Sequence, residues 1–317
     1  MKTMSITNVS LYKWCKKWDR VNRHLKHLKR YSTKIPSSES EQRKIATILS
    51  TVDEVIKKVE SAVEKYKATK AGMIHDLFTR GIDIITGKLR PSYQDAPDLY
   101  IDTELGWIPN EWEITTIKVA CLEFINGGTP STKIPSNWVG SIPWITGADF
   151  LDTFEVGSIR RYINEKALRY SSSHLIPEGN ILLVTRTGVG KLAIAPFDVA
   201  ISQDITGIIL DPTKYHVGFF YYYLQRLVED FKKMNQGTSI NGIVRSDLEA
   251  KLIARPPLNE QIQIEKNLKT LDMTLERESF NLHKYRDLKQ GLMSDLLTGK
   301  VKVKTSEDKL ENDNVKN

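Results

Sequence analysis

The sequence has few cysteines and lacks long apolar runs. Only Cys15 and Cys121 occur among 317 residues, too few for a disulfide framework or a four-cysteine zinc site. No stretch of about eighteen or more apolar residues occurs, and residues 1–30 contain no continuous apolar run. We therefore expect neither a membrane span nor a secretory signal, and we expect the protein in the reducing cytoplasm.

Recognisable catalytic motifs are also missing. The six histidines are scattered and form no His-x-x-x-His or Glu-x-x-His pair that would suit a metal ion. No Gly-x-Ser-x-Gly nucleophile elbow is present. Gly188-Val189-Gly190-Lys191 resembles the end of a phosphate-binding loop, but Thr185 stands where that loop needs glycine and Leu192 where it needs Ser or Thr. We expect no ATP site and no cofactor.

One short segment keeps an enzymatic alternative open. Glu249-Ala250-Lys251 matches the Glu-x-Lys half of a metal-dependent nuclease site, for which Asp230 could supply the further carboxylate. A structural strand explains residues 249–251 better, because Asp230 falls on a predicted helix. A stand-alone metal nuclease and a helical adaptor without a DNA role remain the two alternatives to the function developed below.

Positive charge is concentrated near the N-terminus. The chain has 46 Lys and Arg against 39 Asp and Glu, a formal net charge of +7. Residues 1–40 contain ten of those basic residues against only Asp19 and Glu39, so the remainder has 36 basic and 37 acidic residues. Residues 1–40 are therefore expected to form a basic arm, and a nucleic-acid site elsewhere must be a local patch.

An internal repeat organises the chain. The segment starting at Glu41 matches the segment starting at Glu260 at a constant offset of 219 residues, with 13 identities in 39 ungapped positions. Gln42 and Gln261 are among the identities, as are two pairs that are used below, Asp53 with Asp272 and Lys70 with Lys289.

Each copy of the repeat carries a heptad pattern. Its apolar positions alternate in spacing between four and three, from Ile45 to Leu77 in the first copy and from Ile264 to Leu296 in the second. This pattern predicts two long helices, over 41–79 and 257–298, that pair as an antiparallel coiled coil. At 1.5 Å per residue, such a helix spans roughly 58 Å and would act as a ruler. Lys70 and Lys289 fall in the seam, where polar residues commonly fix register.

Residues with helix-capping preferences flank both predicted helices. Ser38 with Glu41 fits a capping box at the first start, and Asn259 could cap the second. Gly81 and Gly299 follow the two predicted ends, where glycine commonly terminates a helix.

The sequence between the helices changes to short apolar runs separated by Gly and Pro. Residues 80–106 predict a loop-rich connector, and residues 107–256 predict a globular α+β domain inserted between the helices. One helix is expected over 217–234, with an apolar face that serves the core. The tail at 299–317 is expected to be disordered. Four strands are predicted within the domain: Ile142–Thr146, Asn180–Val184, Leu192–Ala195 and Gly207–Leu210.

The inserted domain contains a series of short motifs. They are Leu105-Gly106-Trp107-Ile108-Pro109 with Trp112, Gly127-Gly128-Thr129-Pro130-Ser131, Ile142-Pro143-Trp144-Ile145-Thr146, Pro177 to Ala193, Ala200-Ile201-Ser202-Gln203, and Gly237 to Ile243 leading into Pro256-Pro257 and Glu260-Gln261. With these motifs in this order between the repeated helices, the chain resembles over residues 35–299 the DNA specificity subunits of type I restriction-modification systems. The inserted domain is similar to a target recognition domain of that family.

The resemblance implies a function without catalysis in this chain. Such subunits read one half of a bipartite site in double-stranded DNA with each recognition domain. Their paired helices set the gap between the half-sites and dock methyltransferase (modification) subunits, which supply the chemistry on adenine. A restriction and translocase subunit joins the complex indirectly. Members of full length have two recognition domains, whereas here about 40 residues precede the first helix, so we expect a half-subunit that forms a homodimer or a truncated product.

The expected DNA-contacting residues are polar side chains in the Gly-rich loops of the recognition domain. Gly127, Gly128, Gly188, Gly190 and Gly242 are expected to serve backbone shape instead. The polar candidates are Thr129, Ser131, Lys133, Thr146, Arg186, Thr187, Lys191, Gln203, Gln236, Thr238, Ser239 and Asn241.

Overall fold

The structure is a computed structural model of the chain that describes residues 2–4, 33–35, 38–151, 155–186, 189–235 and 242–303. For residues 2–4, 33–35, 230 and 232–235 it describes the backbone alone. Most of the predicted basic arm and most of the predicted disordered tail therefore lie outside the described residues. The chain divides into two units, residues 1–68 with 273–317 and residues 69–272, and the division falls within each of the two long helices.

The helices and strands follow one another in an order that puts many short strands between two long helices. In chain order they are β1 Lys2–Met4, β2 Thr33–Ile35, α1 Glu39–Leu77, β3 Ile82–Asp83, β4 Lys88–Leu89, β5 Tyr100–Ile101, β6 Ile108–Pro109, β7 Glu113–Thr116, α2 Ile117–Ala120, β8 Cys121–Asn126, β9 Ile142–Ile145, β10 Tyr162–Ile163, α3 Glu165–Arg169, β11 His174–Ile176, β12 Ile181–Val184, β13 Leu192–Ile194, β14 Val199–Ile201, β15 Ile205–Leu210, α4 Val217–Asn235, α5 Arg245–Ala250, β16 Leu252–Arg255 and α6 Leu258–Leu297.

Two four-stranded sheets form the centre of the unit at residues 69–272. One sheet is antiparallel, in the order β13-β12-β15-β8; the other has the order β10-β9-β14-β11, with β9 and β14 parallel. Leu182 and Val184 of β12 pack with Ile145 and Ile201 of the second sheet in one apolar cluster. All four strands predicted from the sequence are present, with ends shifted by one or two residues.

Helix α4 covers the other face of the antiparallel sheet. Phe219, Phe220 and Leu224 join a second apolar cluster that contains Ile181 and Leu183, the β12 residues that alternate with those facing the other sheet. The sequence predicted one apolar face on this helix, but Tyr221, Tyr222 and Val228 are buried as well. Consequently most of the circumference of α4 is buried, which is typical of a helix that is covered on more than one side.

The helix caps agree with the sequence at three of four ends. Glu41 N donates to Ser38 Oγ at 3.3 Å, which is one half of the predicted capping box. Gly81 and Gly299 adopt positive φ values of 64° and 72° after the two long helices end. Helix α6 begins one residue before Asn259, at Leu258, so Asn259 is not the N-cap residue that the sequence suggested. Its Oδ1 still accepts from Glu260 N at 2.9 Å, and Pro257 O accepts from Glu260 N and Gln261 N.

The two long helices make ion pairs with each other in each unit. In the unit at residues 1–68 and 273–317, Asp53 pairs with Lys289 at 2.5 Å and Glu60 with Arg286 at 2.7 Å. From the first pair to the second, the residue number rises in α1 and falls in α6, as it does between antiparallel helices. Every predicted seam position of both helices is buried or half-buried. Knobs-into-holes packing along the full length stays a prediction.

The fold class is the predicted one, an α+β domain of short strands and helices inserted between two long helices. Among the described residues, no helix is both long enough and apolar enough to cross a membrane.

Candidate functional site

Two of the predicted DNA-contacting residues meet where strands of the two sheets end. Thr129 follows β8, Gln203 lies in the turn between β14 and β15, and their side chains are hydrogen-bonded to each other. Gly127 N donates to Ile205 O at 3.2 Å and Gly128 N to Ile201 O at 2.9 Å. The loop after β8 is thus fixed to the turn that carries Gln203.

Glycine is required in this loop because the backbone approaches its neighbours closely. A Cβ at Gly127 would overlap the backbone of Ile201 and Ser202, and one at Gly128 would overlap Ser172. The Gly128 carbonyl also accepts a hydrogen bond from Trp144 Nε1 at 3.1 Å. Both glycines therefore serve backbone shape, as the sequence suggested; Gly190 has a φ of 89°, whereas Gly188 lies outside the described residues.

A cleft of about 360 Å³ opens beside Gln203. Arg186, another predicted residue, lines it together with polar side chains that the sequence analysis did not single out. Thr185 lines one wall of the cleft. Its amide donates to Asp204 O at 2.8 Å and its carbonyl accepts from Ile243 N at 3.0 Å, so two neighbouring segments hold this wall in place. The polar lining comprises Asn126, Thr185, Arg186, Gln203, Thr206 and Arg245.

Arg245 has two side-chain partners at this cleft. Its Nε lies 2.5 Å from Glu249 Oε1, and its guanidinium carbon lies 5.2 Å from the centroid of the Phe124 ring. The only sequence signal for Arg245 was its place just after the motif that ends at Ile243. An arginine fixed in this manner can present its remaining donors to an acceptor with little loss of side-chain entropy.

The contacts of Glu249 and Lys251 do not support a nuclease site. Glu249 binds Arg245, whereas Lys251 Nζ lies 5.5 Å from the Phe231 ring centroid, so the two side chains have separate partners. No group of three His, Cys, Asp or Glu that could hold a metal occurs in the described part of the chain. The strand proposed for residues 249–251 was wrong: Glu249 and Ala250 end α5, where the Arg245–Glu249 pair supports a helix.

Thr146, a further predicted residue, binds a buried carboxylate. Its amide and hydroxyl each donate to Asp149 Oδ2 at 2.8 Å, and Arg160 Nε donates to Asp149 Oδ1 at 2.5 Å. Burial alone would raise the pKa of Asp149, but the hydrogen bonds from Arg160 and Thr146 outweigh burial and lower that pKa below its usual value. Asp149 is therefore ionised at neutral pH.

Three further predicted residues that the structure describes do not line the cleft. Lys191 lies in the β-hairpin of β12 and β13, where Gly190 N donates to Val184 O at 2.9 Å. Its Nζ donates to Phe150 O at 3.0 Å. Ser131 and Lys133 are exposed on the loop before the 3-10 helix Pro135–Trp138. Five predicted residues lie outside the described part of the chain: Thr187, Gln236, Thr238, Ser239 and Asn241.

A buried ionic cluster attaches the start of α6 to the connector. Glu260 is fully buried and accepts hydrogen bonds from Arg90, from Trp112 Nε1 at 3.1 Å and from the Ile82 amide at 2.8 Å. The neighbouring Gln261 is also buried, and its Oε1 accepts from His216 N at 2.8 Å. The repeat had singled out Glu260 and Gln261, but not the partners that they bind.

A second polar cluster joins α4 to both long helices. Tyr222 Oη donates to Asp272 Oδ2 at 2.8 Å, and Lys70 Nζ lies 2.6 Å from Asp272 Oδ1. Burial and the charge of Asp272 raise the pKa of Tyr222, so its hydroxyl stays protonated and can donate. The cleft-bearing domain is thus connected through α4 to the helices within its own unit.

Comparison with protein families gives a match over the cleft-bearing domain and part of α6. Residues 109–282 match the family described as the type I restriction modification DNA specificity domain. The chain is 30% identical over 282 residues to the putative type I restriction enzyme MjaX specificity subunit of Methanocaldococcus jannaschii, an alignment that covers 89% of this chain and 61% of the relative. It is 29% identical over 175 residues to the EcoR124I/EcoR124II specificity subunit of Escherichia coli, covering 53% and 43%.

Solved structures have the same fold at low sequence identity. The HsdS subunit from Thermoanaerobacter tengcongensis matches with a TM-score of 0.54 and 17% identity, over 87% of this chain and 62% of that one. A type I restriction-modification S subunit from M. genitalium matches with a TM-score of 0.54 and 15% identity, over 86% and 65%. The chain thus spans about three fifths of the length of the M. jannaschii relative and of these two solved structures.

Proposed function

The chain belongs to the type I restriction modification DNA specificity family, and we propose that it reads one half of a bipartite site in double-stranded DNA without catalytic activity of its own. The observation that carries this proposal is the convergence of Gln203, Arg186 and Arg245 on one cleft whose walls are fixed by main-chain hydrogen bonds. Arginine and glutamine are side chains that hydrogen-bond to guanine and adenine edges in the major groove.

Rigid support favours recognition of a specific sequence over loose electrostatic binding. Thr129 holds Gln203, and Glu249 with Phe124 holds Arg245. A polar group fixed before binding discriminates between bases because a mismatched base leaves it unpaired. We assign Gln203, Arg186 and Arg245 to direct contact with base edges and Thr129 to positioning of Gln203.

We propose that α6 contributes to docking of methyltransferase subunits. Met273 and Phe280, seven residues apart on one side of this helix, are 63% and 69% exposed. Large apolar side chains exposed on the same helix face are typical of protein interfaces. A restriction and translocase subunit would then join through the methyltransferase, in the cytoplasm, where the DNA is accessible.

We further propose that two copies of this chain associate to recover two recognition domains. The described residues contain one cleft-bearing domain, and the chain spans 61% of the length of the relative from M. jannaschii. Two identical half-sites in opposite orientation follow from a two-fold symmetric pair, so a homodimer predicts an interrupted palindrome.

Co-expression with a type I methyltransferase subunit, followed by mapping of methylated adenines across the host genome, tests this function. The control omits the chain. A bipartite motif that requires the chain supports the proposal, and a palindromic one supports the homodimer. If a stable complex forms but no motif is methylated, the chain does not recognise DNA with its cleft-bearing domain in that complex. If no complex forms, the proposed docking of the methyltransferase subunit is contradicted.

A further inference from the structure

Arg160 and Arg161 share the one buried carboxylate of Asp149. Arg160 Nε is 2.5 Å from Asp149 Oδ1, and Arg161 Nη2 is 3.9 Å from Asp149 Oδ2 and 3.3 Å from Thr146 Oγ1. The Asp149 side chain is 1% exposed, whereas those of Arg160 and Arg161 are 54% and 42% exposed. The three side chains together keep a net positive charge that faces solvent.

Arg161 is also stacked on an aromatic ring. Its guanidinium carbon lies 4.5 Å from the Trp144 ring centroid, and Trp144 is itself fixed by the hydrogen bond from its Nε1 to Gly128 O. Stacking of this kind fixes the plane of the guanidinium without using its N–H donors. A planar guanidinium with free edges matches the paired oxygens of a phosphate group.

This arginine pair lies at the same sheet edge as Gln203. Strands β9 and β14 are parallel, with Ile145 opposite Ile201, and Ser202 N donates to Ile145 O at 3.0 Å. Because parallel strands end at a common edge, Thr146 after β9 and Gln203 after β14 are neighbours. The Asp149 cluster, bound to Thr146, is thus beside the residues assigned to base contact.

We propose that Arg160 and Arg161 bind the phosphate backbone of duplex DNA next to the bases that the cleft contacts. The inference rests on the proposed function and adds the site that sets the position of the duplex. Contacts to phosphate fix register and orientation but carry no direct sequence information. The pair should therefore contribute to affinity for every duplex and leave the recognised motif unchanged.

A purely structural ion cluster is the rival explanation. One guanidinium is enough to neutralise Asp149, and Arg160 makes the short contact. Arg161 is then an excess cation whose position is set by Trp144 and Thr146 rather than by the carboxylate. A structural cluster does not require that second, stacked and half-exposed charge.

The test measures binding of the full chain to a random-sequence duplex at several salt concentrations. Each phosphate contact contributes about 0.9 to the slope of log affinity against log salt. Arg161→Gln and Arg160→Gln should each lower affinity and reduce this slope by about one. Arg277→Gln is the matched control, because it removes the same charge from α6 in the other unit, and it should leave the slope unchanged.

Two further measurements separate phosphate binding from folding. The melting temperature of each variant is recorded, and Arg161→Lys is included because it keeps the charge but loses the planar fork. We expect Arg161→Lys to keep the slope while its affinity falls below that of the original chain. Unchanged affinity and slope in both Gln variants would overturn the proposal, whatever their melting temperatures.

Methylation mapping of the Arg161→Gln variant with a methyltransferase subunit completes the test. The expected motif is the same as that of the original chain, at lower occupancy. A changed motif would make Arg161 a base-contacting residue and overturn the proposal while leaving the proposed function intact. If the original chain neither binds duplex DNA nor directs methylation, the proposed function itself fails.

Discussion

Lys70 and Asp272 form an ion pair of 2.6 Å between α1 and α6, and the repeat reproduces it. Lys289 lies 219 positions after Lys70, and Asp53 lies 219 positions before Asp272. These two residues form the corresponding pair at 2.5 Å in the other unit. The recurrence of Lys and Asp in the two copies therefore has a structural cause, since each pair takes its Lys from one copy and its Asp from the other. A polar pair at a defined seam position penalises shifted alignments of the helices.

The two pairs are predicted to differ in their contribution to stability. Lys70 and Asp272 are 17% and 24% exposed and bind Tyr222, whereas Lys289 and Asp53 are 30% and 48% exposed. Lys70→Ala should lower the free energy of unfolding by about 1.5–3 kcal/mol, the range for hydrogen bonds to charged groups. Lys289→Ala should cost about 0.2–1 kcal/mol, as exposed pairs do. Equal costs in urea unfolding would contradict this ranking.

Glu260→Gln is predicted to be strongly destabilising. Arg90 is 9% exposed at its side chain and would keep only the largely exposed Glu111 carboxylate, at 3.0 Å, as an anionic partner beside a neutral amide. Loss of one member of a buried ion pair costs about 3–5 kcal/mol. The repeat supplies the control, Glu41→Gln, at the half-buried start of α1. Chemical denaturation of both variants should show a much larger loss for Glu260→Gln, and similar losses would mean that the Arg90 cluster contributes little.

Gly81→Ala is predicted to cost more than Gly87→Ala. Both glycines have positive φ, 64° and 68°, so both substitutions incur the left-handed penalty of about 1–2 kcal/mol. At Gly81 a Cβ would also overlap Glu260, Trp112 and Arg90, whereas at Gly87 it meets no atom within 4 Å. The difference between the melting temperatures of the two variants measures the effect of crowding at Gly81. A melting temperature of Gly81→Ala that is not lower than that of Gly87→Ala would contradict the prediction.

Stability should depend on pH through Asp149. Its pKa is lowered in the folded protein, so it contributes stability above its unfolded value of about 3.9, and the contribution is lost as pH falls through the lower folded pKa. Asp149→Asn should therefore melt below the original chain at pH 7, and the difference should shrink as pH falls below about 4. A difference that stays constant with pH would show that the charge of Asp149 does not contribute.

The elements that the sequence predicted best are those with a local signal. Heptad spacing and the repeat predict α1 to within two residues and α6 to within one residue at each end, and apolar runs between Gly and Pro predict β9, β12, β13 and β15. The strand predicted for residues 249–251 was wrong because so short a segment has little periodicity, whereas the Arg245–Glu249 pair four residues apart favours a helix.

The candidate site was predicted only in part because its contacts are distant in sequence. Thr129, Arg186 and Gln203 were singled out from Gly-rich motifs, and two of them line the cleft. Arg160 and Arg161 fall in no motif, and only the fold brings them to Asp149 and Trp144. Likewise, Glu260 binds partners 148 to 178 positions earlier, which no local pattern indicates.

Methylation mapping with single variants of the cleft tests whether its side chains recognise bases. Each variant is co-expressed with a type I methyltransferase subunit, and Gln290→Ala, exposed on α6, is the control. Gln203→Ala and Arg186→Ala should each relax or change the methylated motif at a position within one half-site, while Gln290→Ala keeps the original motif. An unchanged motif in both cleft variants, at normal methylation levels, would contradict base recognition at this cleft.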